Sequence, residues 1–212
     1  CAFLGFPQVT LAELAAQIPY PAALCHDTAA AGFAEVWHSP EPSTAFYLML
    51  NASVGGSVYV GGKSYEGDNL RSCEVGHMLL VPGGRQCYCG NRGCVDPYCG
   101  GAVLADAAGG SLERFFALLE QQSPLVLPVW QSYLEHLAQV VGNLRMLYDC
   151  NVILGGNVGS RMEPYMQQLR QLTARQDPFQ EEADYLLPCR YRQEPVATGA
   201  ALGFISQFLD GV

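Results

Sequence analysis

His77, Cys87, Cys89 and Cys94 place one imidazole and three thiols within eighteen residues, separated by nine, one and four intervening positions. Imidazole nitrogen and thiolate sulfur are donors that Zn²⁺ accepts in a closed tetrahedron, and a His/Cys₃ set with no open position is structural rather than catalytic. The alternative is a Cys-rich loop with free thiols or a disulfide; three cysteines this close to a histidine favour zinc. Gly83, Gly84, Gly90 and Gly93 are interleaved with the donors and let such a loop fold back on itself.

Periodicity gives the elements that must position this loop. Leu11, Leu14, Ala15 and Ile18, behind Thr10 as N-cap, predict a short helix. Residues 21–25 predict a short buried strand, ended by His26 and Asp27, after which Thr28 caps an Ala-rich helix to Trp37. Residues 44–51 and 56–65 predict two strands joined as a hairpin through Ala52 to Gly56. Beyond the Cys-rich loop, Asp96 opens a short helical segment. Ser111 caps a helix with Leu112, Phe115, Phe116 and Leu119 on one face. Residues 128–149 form a longer amphipathic helix carrying Trp130, Leu134, Leu137, Val141, Leu144 and Tyr148. The apolar run 151–156 reads as a parallel strand covered on both faces. A helix over Met162 to Thr173, a strand over 183–189 and a helix over 196–209 complete the chain. Strands alternating with helices specify an α/β fold.

At 212 residues the chain can bury one sizeable core, and with half of its residues apolar and 15% charged it is globular. A formal charge of −9, with no basic stripe, argues against direct non-specific binding of nucleic acid. No apolar run reaches the ~18–20 residues of a membrane span. With three of nine cysteines assigned to zinc, six remain, at irregular spacings that show no disulfide framework. Cys25, Cys150 and Cys189 fall in or beside apolar segments that read as buried strands, where a free cysteine acts as a small hydrophobe. A reducing, cytoplasmic location fits that usage. The chain opens on Cys1 without a methionine and reads as a segment of a longer protein.

Four segments carry a family resemblance. "EVGHMLLVPGGRQCYCGNRGCVD" resembles the zinc signature of ROK proteins, which unite bacterial sugar kinases with sugar-responsive transcriptional regulators. "PAALCHDTAAAGFAEVW", "YLMLNASVGGSVYVGGKSYEG" and "NVILGGNVGS" are similar to that family's Asn-Asp segment, its second glycine-rich phosphate segment and its adenosine-side glycine turn. The similarity runs, with gaps, from about Val9 to Phe208. It implies an actin-like ATPase, RNase H-like fold, with residues 1–212 forming the C-terminal lobe. The N-terminal lobe, with the family's first phosphate loop "DxGGT", is absent from these residues.

The resemblance also implies roles. Asp27 matches the carboxylate that takes a proton from the attacking sugar hydroxyl in a kinase; capping the following helix is its alternative role. His26 stands where the family has Asn, and its imidazole is bulkier and titrates near neutrality. Glu74 and His77 match sugar-binding residues, the metal fixing the aim of the imidazole. Asp96 falls where the family has Glu and reaches less far. In the run Asn51 to Ser57, Ala52 removes an expected Thr hydroxyl, and Ser53 and Ser57 replace glycines. Gly55 and Gly56 then either cradle phosphate or only turn the hairpin, and the hairpin is favoured. Gly155 and Gly156 keep the adenosine-side pattern.

Three functions stay open: the zinc-stabilised, sugar-binding lobe of a ROK regulator; the corresponding lobe of a hexose or amino-sugar kinase using ATP and Mg²⁺; and a member retaining only the fold. The altered glycine run and His26 favour the regulator, which would contact DNA only through an N-terminal domain outside this chain. The expected ligand is a small sugar, and the expected assembly is a homo-oligomer without membrane contact.

Overall fold

The computed structural model describes Glu13, residues 16–37 and residues 44–210. Most of the helix expected over residues 10–18 lies outside the described residues. The elements are α1 (Asp27–Val36), β1 (Ala45–Leu50), β2 (Val54–Val60), β3 (Lys63–Ser64), α2 (Asp96–Cys99), α3 (Gly101–Ala107), α4 (Leu112–Glu120), α5 (Leu127–Tyr148), β4 (Asn151–Gly155), the single turn α6 (Gly156–Gly159), α7 (Met166–Ala174), β5 (Leu186–Pro188) and α8 (Pro195–Asp210).

The strands form one mixed sheet in the order β3-β2-β1-β4-β5. β1 pairs antiparallel with β2 and parallel with β4, so Leu50 faces Val54 while Met49 faces Gly155. The carboxyl ends of β1 and β4 therefore lie side by side, the edge of an open α/β sheet where ligands bind.

β1 is buried along its whole length because it is covered on both faces. Phe46, Leu48 and Leu50 enter the main core with Leu134, Leu137 and Val141 of α5. The alternate residues Ala45, Tyr47 and Met49 join Ile153, Cys189 and Ala31 of α1 on the other face. Side chains of a strand point alternately to its two faces, so one apolar run serves both cores. α1 and α8 lie backbone to backbone; a Cβ at Gly199 would collide with Ala30 O.

Several expectations are corrected. Residues 21–25 form no strand: Leu24 and Cys25 are exposed, since an apolar run becomes a strand only by pairing and none of the described strands pairs with it. Thr28 does not cap α1; its hydroxyl donates to Gly56 O at 2.8 Å and fastens the helix to β2. Gly55 and Gly56 do not turn the hairpin, because β2 already begins at Val54. They allow close approach instead: a Cβ at Gly55 would stand 2.7 Å from Thr28 Cγ2, and one at Gly56 2.7 Å from the Phe46 ring. The helix expected from Met162 begins at Met166 after a 3₁₀ turn at Glu163–Tyr165. Ser111 caps α4 as its sequence suggests, accepting the Arg114 N–H at 3.2 Å. None of the described helices is long and apolar enough to cross a membrane.

Candidate functional site

The four donor atoms of His77, Cys87, Cys89 and Cys94 all lie within 4.8 Å of one another. His77 Nδ1 is 3.7 Å from Cys87 Sγ, and Cys89 Sγ is 3.8 Å from Cys94 Sγ. A tetrahedron with Zn–S of about 2.3 Å and Zn–N of about 2.0 Å has edges of roughly 3.8 Å between sulfurs and roughly 3.6 Å between sulfur and nitrogen. The donor set fits Zn²⁺ in both chemistry and span.

The loop is shaped by its own backbone. Leu80 and Val81 both donate to Gly93 O, Gly93 N donates to Arg85 O, and Cys87 N donates to Asn91 O. Gly90 and Gly93 have φ of +94° and +83°, and a Cβ at Gly93 would strike Val81 O. The Gln86 amide closes the turn by donating to Cys87 O, Gly90 O and Asn91 O. Burial and the neighbouring sulfurs push the Cys94 thiol up to about 12. A cation reverses that balance, since a coordinating thiol is deprotonated outright.

With Nδ1 turned to the sulfurs, His77 has its Nε2 3.3 Å from the Tyr88 hydroxyl. Both residues line a cavity of about 870 Å³, together with His26, Asp27, Glu74 and Arg71. That volume lies within the usual range for small-molecule sites. Asp27 opens α1, where the positive end of the helix dipole favours a carboxylate. Its Oδ1 accepts the Thr28 N–H at 2.7 Å and lies 3.2 Å from His26 Nδ1, which leaves Oδ2 for a ligand. His26 Nδ1 is also 2.8 Å from Thr28 Oγ1. The only hydroxyl proton of Thr28 goes to Gly56 O, so the imidazole donates there, and its Nε2 is an acceptor in the neutral ring. Glu74 stands at the start of the 3₁₀ turn Val75–His77, which buries Val75 and Gly76 under the sheet edge.

The structure thus brings His26, Asp27, Gly55, Glu74, His77 and Cys89 to one cavity, and the remaining sugar and nucleotide candidates lie outside its lining. Asp96 does not line it; its Oδ1 accepts the Val54 N–H at 2.6 Å, tying the Cys-rich loop to the hairpin. Burial raises the Asp96 carboxyl above the usual range, opposed by the Val54 N–H and His77. Gly56 faces Phe46, and Gly155 and Gly156 sit at the end of β4 outside the cavity lining. A Cβ at Gly155 would collide with the buried Tyr47 hydroxyl, and Gly156, at φ +80°, abuts Asn51 Oδ1. Sequence reasoning passed over Arg71, Tyr88 and the side chain of Asn51, all of which line the cavity. For Tyr88 a signal existed: it lies between two metal donors and cannot move independently of them.

A second cavity, of about 810 Å³, opens between α1, the β2–β3 turn and α8; its walls include Phe33, Trp37, Tyr59 and Phe204. It gathers no comparable set of titratable groups.

Known proteins place this arrangement. The chain is 31% identical over 206 residues to an N-acetylmannosamine kinase of Shigella boydii, covering 94% of this chain and 69% of that protein. The ROK hexokinase of Thermus thermophilus superposes with a TM-score of 0.76 at 26% identity, over 94% of this chain and 70% of that one. A ROK family transcriptional regulator, a homologue of the E. coli MLC protein, superposes with a TM-score of 0.72 at 21% identity, over 90% of this chain and 53% of that one. The sheet and its helices have the actin-like ATPase fold of these proteins. The ROK family profile matches residues 7–206, and the chain belongs to the ROK family.

Proposed function

We propose that this chain supplies the sugar-binding lobe of an ATP-dependent sugar kinase acting on a hexose or an N-acylated amino sugar. The observation that carries the reading is the convergence of Asp27, His26, Glu74 and His77 on one cavity. The balance between kinase and regulator, which the altered glycine run tilts toward the regulator, moves back on the comparisons. N-acetylmannosamine kinases of Citrobacter koseri and Shigella boydii are 30% and 31% identical to the chain, whereas the regulator's likeness, at 21%, is one of fold.

In this reading Glu74 accepts hydroxyls of the sugar, His77 orients it with its ring nitrogen, and Asp27 Oδ2 accepts the proton of the attacking hydroxyl. As that proton leaves, an oxygen–phosphorus bond forms at the sugar and the bond to the departing diphosphate breaks; ATP with Mg²⁺ would supply the phosphoryl group. His77, Cys87, Cys89 and Cys94 would hold Zn²⁺, which would fix the aim of the imidazole and supply no group to the transfer. We also read residues 1–212 as one lobe of a longer protein. The apolar side chains of Leu24, Phe204, Phe208 and Leu209, exposed along α8 and the segment before α1, would be covered by a second lobe.

The test uses the complete gene product, with N-acetylmannosamine and glucose as sugars and ATP as donor. Phosphoryl transfer that Asp27→Asn abolishes, while sugar still raises the melting temperature, supports the kinase. Sugar-induced stabilisation of the wild type without any transfer would overturn it in favour of the regulator.

A further inference from the structure

The family resemblance gives a sugar contact to His77, but another side chain stands in front of its outer nitrogen. Tyr88 lines the cavity with its ring edge-to-face against His77, the centroids 5.2 Å apart and the planes at 75°. Its hydroxyl is 3.3 Å from His77 Nε2. The backbone at Tyr88 is held on both sides: Cys87 and Cys89 belong to the donor cluster, and the Gln86 amide ties the turn to Cys87 O, Gly90 O and Asn91 O. Tyr88 is nevertheless 53% exposed, so a ligand in the cavity reaches its hydroxyl without displacing the loop.

The protons of this pair have one consistent arrangement. His77 Nδ1 lies 3.7 Å from Cys87 Sγ, so with a cation held there the ring carries its proton on Nε2. Nε2 then donates and the phenolic oxygen accepts. A hydroxyl that accepts still has its own proton to give, and that of Tyr88 has no acceptor among the described residues. The proton is left for a ligand. The rest of the lining makes such a donor useful: Asp27 Oδ2, the Glu74 carboxylate and the neutral His26 ring all accept, and each consumes a hydroxyl proton of the sugar. A sugar oxygen whose proton is already given, or an acyl carbonyl that never had one, needs a donor in return.

We propose that Tyr88 is the residue that meets the sugar at this end of the cavity: its hydroxyl donates to a sugar oxygen, and His77 acts through it as a positioning residue. The inference rests on the sugar-binding reading, in which His77 orients the sugar, and inserts Tyr88 between the two. It makes Tyr88 a determinant of specificity, because the oxygen it faces is read only as an acceptor. A hydroxyl and an acyl carbonyl both qualify there, and a carbon in the same place does not.

The experiment is calorimetric titration of the complete gene product, in buffer containing Zn²⁺, comparing the wild type with Tyr88→Phe. The probes are N-acetylmannosamine, glucose, the monodeoxy analogues of each, and mannose, which lacks the acylamino group. Phenylalanine keeps the ring against His77 and removes only the hydroxyl, so metal content and melting temperature without sugar should match the wild type. Kd for the sugar that the wild type binds should rise roughly three- to tenfold in Tyr88→Phe. One analogue, the one lacking the contacted oxygen, should bind the wild type more weakly by a similar factor and bind both proteins equally. Equal or tighter sugar binding by Tyr88→Phe would mean that the imidazole meets the sugar unaided; it overturns the proposal and leaves the sugar-binding reading standing. A weakened Tyr88→Phe in which every analogue keeps its wild-type deficit also overturns it, since Tyr88 then only holds the imidazole in place. A wild type that binds none of these sugars overturns both.

Discussion

Removing the metal should cost this protein stability in an amount that can be worked out beforehand. Any ligand that binds only the folded state stabilises it by RT ln(1 + [L]/Kd), or about 4 kcal/mol when free metal is a thousandfold above Kd. For a chain of this size each kcal/mol moves the melting temperature by roughly 2–4 °C, so chelation should lower it by roughly 8–16 °C. The loss should be local at first. Leu80, Val95 and Tyr98 are buried in the main core on either side of the loop, so the flanks stay anchored when the metal leaves. Residues 82–93 between them contribute Cys87 alone to the buried apolar residues, and the remaining ties are hydrogen bonds, with the Arg85 backbone N–H and guanidinium fastened to Tyr98 and Pro97.

The assay combines metal analysis, thermal denaturation with and without chelator, and limited proteolysis. One Zn²⁺ per chain is expected, with new cleavage inside 82–93 after chelation and the same pattern in Cys94→Ala without chelator. Because the thiols must lose protons to bind, metal occupancy should fall as the pH is lowered. A protein with no bound metal, or one whose melting temperature and cleavage pattern ignore the chelator, would refute the reasoning. The tetrahedral spacing of the four donors would then be a thiol cluster and nothing more.

Gly56→Ala puts a methyl group 2.7 Å from the Phe46 ring and 3.2 Å from Cys73 O, so overpacking should destabilise the fold by about 1–3 kcal/mol in chemical denaturation. Thr28→Val keeps the shape but leaves Gly56 O without its donor, at a cost of about 1–3 kcal/mol, and it releases His26. Sugar affinity should fall with it, while Thr28→Ser retains both; equal affinity in the Val variant would deny His26 a place in recognition. Asp96→Ala should cost a similar amount, because the Val54 N–H loses its acceptor, whereas Asp96→Asn can still accept it. Matching melting temperatures for the Ala and Asn variants would show that this bond contributes nothing. Leu70→Gly relieves a left-handed residue at φ +54° whose side chain is exposed, and should raise stability by up to about 1 kcal/mol.

The clustering of His77 with three cysteines, the long helices and the alternating strands were legible because each is written locally. Four sulfur and nitrogen donors within eighteen residues, or Trp130 to Tyr148 at helical spacing, need no knowledge of distant segments. The errors fall where a residue's role depends on a partner far along the chain. Gly55 and Gly56 look like turn residues until Thr28 and Phe46 are seen pressing on them from other elements. Thr28 has the chemistry of a cap, but β2 passes close enough to take its proton. Asp96 looks like a ligand residue beside Glu74, yet a hairpin more than forty positions earlier claims its oxygen. Arg71 lies three residues before Glu74, but nothing in its type or spacing says that its side chain reaches the cavity.

The two imidazoles of the cavity are aimed from behind by different means, and this gives them opposite polarity. His26 spends its Nδ1 proton on Thr28 Oγ1, whose own proton is committed to Gly56 O, so its Nε2 is an acceptor. His77 turns Nδ1 to the sulfurs; with Zn²⁺ bound there, Nε2 must carry the proton and act as a donor. A ligand meeting both rings must therefore offer a donor to one and an acceptor to the other. A sugar hydroxyl can be either, but its orientation then decides which, and a ligand with only acceptor oxygens satisfies His77 alone. In the sugar-binding reading, recognition would then depend on the Thr28 bond behind one ring and on a metal behind the other. With Zn²⁺ bound, the Cys-rich loop would in this way take part in how the cavity distinguishes its ligand.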